Sequence, residues 1–168
     1  MSDTAPTPRL LVLGNAGAGK STLARELAQQ HAQPDGRPLA ILCLDAIAFD
    51  GSTERRPLAE SLALLDDFRA AHAGWVIEGC YADLAEALAP HAHELHFVDP
   101  GVEVCVAHCR ARPWEPDKFA TREAQDAVLD TLIAWVREYP HRNDEYGLRA
   151  HERVVAAFEG RVLRHGAP

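Results

Sequence analysis

Apolar residues along this chain alternate between short unbroken runs and helical spacing. Leu10-Leu11-Val12-Leu13 is a run of four ended by Gly14, and a run without polar alternation predicts a strand buried on both faces. Residues 22–31 follow with Leu23, Leu27 and Ala28 on one helical face. A second buried strand is predicted over 39–44, ending at Asp45, and Leu62, Leu65 and Phe68 mark a helix over 58–71. Trp75-Val76-Ile77 reads as a third strand, stopped by Glu78-Gly79. The pattern continues with a helix over 83–89, a strand over 94–98 stopped by Asp99-Pro100, and a helix over 102–112. A long helix over 123–139, a last helix over about 145–158 and a short closing strand at Val162-Leu163 complete it. Strands alternating with helices predict an α/β fold in three layers, a parallel sheet of about five strands with helices on both faces. Such a sheet gathers its ligands at the carboxyl ends of its strands.

Length and composition narrow the picture. The 168 residues suit one domain over 9–168, preceded by a flexible stretch at 1–8 and carrying a lid-like segment near 110–122. Seventeen Lys and Arg against 25 Asp and Glu give a net charge of −8, a field that disfavours nucleic acid and anionic lipid as partners. No signal-like segment and no apolar run of membrane-spanning length occurs, so the expectation is a cytoplasmic protein with no membrane contact. Cys43, Cys80, Cys105 and Cys109 lack the density of a disulfide framework and read as reduced thiols. Composition leaves the oligomeric state open, a monomer being the simplest.

The sharpest chemical signal is Gly14-Asn15-Ala16-Gly17-Ala18-Gly19-Lys20-Ser21, placed after a predicted buried strand and opening a predicted helix. Glycines there let backbone N–H groups converge on phosphate oxygens, and the helix start adds positive potential. Lys20 can reach outer phosphates, and the Ser21 hydroxyl can bind Mg²⁺. The alternative is a glycine-rich turn without a ligand. Residues 14–22, Thr22 included, are therefore the candidate ATP or ADP site. Ser21 and Glu78 are the candidate Mg²⁺ ligands, because Glu78 ends a strand on the same predicted edge.

The loop resembles a Walker A motif, and the chain around it is similar to small P-loop kinases of the nucleoside-monophosphate-kinase and shikimate-kinase type. In particular it resembles bacterial adenylate-kinase-like, or topology-modulation, proteins. The stretches that carry this are Leu44-Asp45, Trp75-Val-Ile-Glu78-Gly79-Cys80-Tyr81, Val98-Asp99-Pro100 and Cys105-Val-Ala-His108-Cys-Arg110-Ala-Arg112. The resemblance spans most of residues 9–112 and fades beyond. It implies transfer of the γ-phosphoryl of ATP to a small nucleotide or hydroxylated acceptor, with Mg²⁺ as cofactor. Three departures stand out. Glu78 occupies an aspartate position, Cys80 an asparagine position, and His108 the position of the first lid-helix arginine.

Lys20, Asp45, Arg110 and Arg112 are the candidate catalytic residues. Asp45 would bind or deprotonate the acceptor, and the two arginines, beside the break Pro113-Trp-Glu-Pro116, would close over nucleotide as a mobile lid. Lys118 belongs to the same lid, while Arg55 and Arg56 lie where related kinases bind the acceptor. For each arginine a solvated helix end is the alternative, and for Asp99 a strand stop. His91, His93 and His96, with Cys105 and Cys109 at i and i+4, read as surface histidines and buried thiols. A nucleotide switch or weak ATPase without a small acceptor is the rival function. A GTPase lacks its Asn-Lys-x-Asp motif here, and a polynucleotide-end kinase is opposed by the charge.

Overall fold

The computed structural model describes residues 6–51 and 53–166; the start of the expected N-terminal stretch, 1–5, lies outside them. Strands β1 (Arg9–Gly14), β2 (Ala40–Cys43), β3 (Trp75–Gly79), β4 (Glu94–Asp99) and β5 (Arg161–Gly166) form one sheet in the order β2-β3-β1-β4-β5, and all pairings are parallel. Among the described residues seven α-helices connect them: α1 (Lys20–Gln30), α2 (Asp45–Ala48), α3 (Leu58–Ala71), α4 (Ala82–Leu88), α5 (Val102–Ala111), α6 (Arg122–Arg137) and α7 (Leu148–Ala157). No helix among the described residues is long and apolar enough to cross a membrane.

The unbroken apolar run of β1 is explained by its central place, because each face of the strand feeds a different layer. Leu11 and Leu13 pack with Trp75, Ile77, Leu95 and Phe97 against α3, α4 and α7. Leu10 and Val12 pack with Val76 and Val98 against α1, α5 and α6. Every strand end carrying a candidate carboxylate thus lies on one edge of the sheet, around Gly14. The strand order switches on either side of β1, where an open α/β sheet leaves a crevice.

Three elements differ from the sequence reading. A short helix, α2, follows Asp45 directly; α7 starts at Leu148, after Gly147; and β5 runs the full Arg161–Gly166. The last difference has a clear cause. β5 alternates exposed and half-buried residues at the sheet edge, so apolar content marked only Val162-Leu163, while register with Glu94–Asp99 sets the length. The residues before β1 join the sheet too, since the Pro8 carbonyl accepts the Trp75 N–H at 3.0 Å.

His151 on α7 is fully buried and ties the helix layer to the end of β3. Its Nε2 lies 2.9 Å from the Cys80 carbonyl, which can only accept, so Nε2 carries the proton and Nδ1 accepts the Tyr139 hydroxyl at 2.8 Å. Burial, as the first cause, holds this imidazole down to about 4. The unfolded chain therefore takes up a proton near ~6.5 while the folded chain does not, so stability is full above that pH and falls toward pH 4 by about 1.4 kcal/mol per unit. Chemical denaturation at pH 7 and pH 5 should show a loss of about 2 kcal/mol from this group, and His151→Gln should remove that share. Burial also lowers His96, whose contribution has the same sign and persists in the variant.

Candidate phosphate-binding site

The phosphate loop connects the buried end of β1 to the start of α1, and two glycines set its shape. Gly17 has φ +76°, and a Cβ there would sit 2.5 Å from the Cys105 carbonyl oxygen and 2.8 Å from Cys109 Sγ. Gly19 has φ +95° and caps α1, a left-handed geometry that a side chain resists. The loop is pinned from three directions. Ala18 N–H donates to the Asn15 carbonyl at 3.2 Å, His108 Nδ1 on α5 donates to the Gly17 carbonyl at 2.7 Å, and Asn15 Nδ2 on its buried side donates to the Val136 carbonyl of α6 at 3.1 Å. Lys20 is buried, with Nζ 2.6 Å from the Asn15 carbonyl. The carbonyl dipole replaces water around the buried side chain, and a charge-assisted hydrogen bond of this kind is a strong one.

Ser21 and Glu78, 57 positions apart in the chain, meet at the sheet edge: the Ser21 hydroxyl donates to Glu78 Oε1 at 2.8 Å, and Glu78 is buried at 4% exposure. A hydroxyl and a buried carboxylate in contact form a hard-oxygen pair of the kind Mg²⁺ accepts. Asp45 is exposed at the start of α2 and accepts the Tyr81 hydroxyl at 2.6 Å. Cys43 lies opposite Glu78 in register and close to Asp45. Burial first, then these two carboxylates, push its thiol up to about 12. Burial pushes Cys80 to about 12 and Cys105 to about 11. None of these three thiols supplies a thiolate nucleophile at neutral pH.

The structure brings Gly14 to Thr22, Glu78 and Asp45 to this edge. Asp99 behaves as a strand stop, accepting Gly101 N–H at 3.4 Å. The proposed lid arginines stand apart from the loop contacts. Arg110 is exposed in the last turn of α5, and Arg112 faces Glu115 at 3.8 Å. The segment after them is closed on itself. Gln125 accepts from Glu115 N–H at 2.8 Å and donates to the Pro113 carbonyl at 3.0 Å, and Trp114 donates to the Phe119 carbonyl at 3.0 Å. Beneath it lies a mostly apolar hollow of about 210 Å³ bordered by Cys109, Arg112, Phe119 and Leu129, and Cys109 also touches the loop at Gly17.

Sequence reasoning missed most of the wall beside Asp45. Tyr81 meets Tyr146 edge-on at 5.3 Å, and Tyr146 meets Trp135 at 5.5 Å. Arg55 lies over Tyr81 and Arg142 over Trp135, at 5.0 and 4.4 Å. The signal available was the density of aromatic and charged residues over 135–146, which helical periodicity treats as an ordinary helix end.

In comparison with solved structures, TT1252 from Thermus thermophilus aligns at 17% identity over 95% of this chain and 90% of its own, with a TM-score of 0.51. A shikimate kinase from Bacteroides thetaiotaomicron aligns at 16% identity, 90% and 94% coverage and a TM-score of 0.49. A gluconokinase from Sinorhizobium meliloti 1021 aligns at 16%, 91% and 90%, and 0.47. No family model matches the chain, and no curated protein does. The likeness is one of fold. The chain shares with TT1252 a three-layer α/β architecture, with its glycine-rich loop at the end of the central strand.

Proposed function

We propose that this protein is an ATP-dependent small-molecule phosphotransferase. The observation that carries the reading is the convergence of a buried, carbonyl-held Lys20 with the Ser21–Glu78 contact at the end of β1. In this reading the N–H groups of residues 15–22 and the start of α1 hold the phosphates of ATP, and Lys20 leaves the Asn15 carbonyl for the outer phosphates. Ser21 and Glu78 would hold Mg²⁺, which supplies charge neutralisation on the phosphate oxygens when bound.

Asp45 is the group placed to orient the acceptor. As the acceptor oxygen bonds to the γ-phosphorus, the bond from that phosphorus to the β–γ bridging oxygen breaks, ADP leaves with the electron pair, and the acceptor proton passes to Asp45. The Tyr81 hydroxyl, kept protonated by burial and by Asp45, holds that carboxylate in one orientation. Arg110 and Arg112 would reach the transferring group once the 113–121 segment moves, Arg112 exchanging Glu115 for phosphate oxygens.

Lys20→Ala should abolish measurable ADP or ATP binding by calorimetry in a folded protein; unchanged affinity removes the phosphate-site reading. Glu78→Gln should raise the Mg²⁺ concentration needed for nucleotide-dependent stabilisation while leaving metal-free nucleotide affinity near wild type, because the amide keeps the size and loses the charge. Arg112→Ala should lower turnover on the order of a hundredfold with little change in ATP affinity. A folded Arg112→Ala protein with wild-type turnover would favour the nucleotide-switch alternative.

A further inference from the structure

Arg55, Arg56 and Arg142 are each already bonded within the protein. Arg55 donates to Glu145 Oε1 at 2.6 Å and to Asp83 Oδ1 at 2.9 Å, while its plane lies over Tyr81. Arg56 is turned away into the fold, donating to the Ile47 and Phe49 carbonyls at 3.1 and 3.3 Å. Arg142, stacked on Trp135, gives Nε and an amino group to Asp144, at 3.0 Å to Oδ1 and 2.6 Å to Oδ2.

Along this wall Arg55 is held by Asp83 and Glu145, and Arg142 by Asp144, so the carboxylates outnumber the arginines that they hold. An anionic acceptor would have to displace carboxylates already at hydrogen-bonding distance from these arginines. An uncharged or cationic alcohol meets no such opposition. The half-buried Tyr146 and Trp135 border its path, and carboxylate oxygens accept its hydroxyl or ammonium protons.

We propose that the acceptor of this site is an alcohol bearing no negative charge, and that Asp144 and Glu145 are specificity-determining residues that keep anionic acceptors out by occupying Arg142 and Arg55. The proposal rests on the phosphotransferase reading and refines its substrate class.

The test first saturates the protein with ADP and Mg²⁺, and a failure of that titration in wild type counts against the phosphotransferase reading itself. AMP, gluconate or inorganic phosphate is then titrated into the saturated complex by calorimetry, for wild type and for Asp144→Asn/Glu145→Gln. The expected result is no second binding event in wild type at millimolar probe, and binding at least tenfold tighter in the double variant for at least one probe, abolished again by adding Arg142→Ala. The single variant Asp144→Asn, which leaves the buried Arg55 pairs intact, serves if the double variant does not fold. Anion binding by the wild-type complex overturns the proposal, and so does a folded variant that binds none of the three anions.

Discussion

A lysine side chain buried against a backbone carbonyl governs the working edge of this protein. Lys20 sits at the first turn of α1, its ammonium satisfied by the Asn15 carbonyl of the loop that precedes it. Removing an ammonium from water is costly unless dipoles replace the solvent, so loop, helix start and lysine must form together. The central strand makes this possible. β1 is covered on both faces, which leaves the loop backed by α5 and α6, with Cys105, Cys109 and His108 on one side and Val136 on the other.

The end of α6 connects parts of the site that are distant in sequence. Val136 receives Asn15 from the phosphate loop, and Tyr139 reaches His151, which in turn holds the Cys80 carbonyl. That carbonyl lies between Glu78, two residues earlier, and Tyr81, the next residue, whose hydroxyl holds Asp45. One helix end thus supports the phosphate loop, the candidate metal carboxylate and the candidate base. At its other end α6 carries Gln125, which closes the 113–121 segment on itself. The 113–121 segment and the ends of β1 and β3 are thus joined through one helix.

Much of this was legible in the residues. The double-faced burial of β1 was written in Leu10 to Leu13, because a strand covered on both sides tolerates no polar alternation. The loop was legible because its chemistry is local: glycines for backbone approach, then lysine and serine at the start of a helix. That Glu78 ends on the edge of Ser21 followed from topology, since parallel strands deliver their ends to one edge, and the fold then brings the two into contact.

What the tertiary structure decided were the partners of side chains whose local pattern is ambiguous. Arg55 lies in sequence where an acceptor contact or a solvated helix end are both open, yet Glu145 and Asp83, 90 and 28 positions away, take it up, and Asp144 takes up Arg142. Packing alone makes His151 the buried link to Cys80. Spacing along a chain reports which face of an element is apolar, but it carries no information about which element will cover that face. Loops and helix ends, where the charged and aromatic residues of this site concentrate, take their neighbours from the sheet order β2-β3-β1-β4-β5, a property of the assembled chain and of no segment within it.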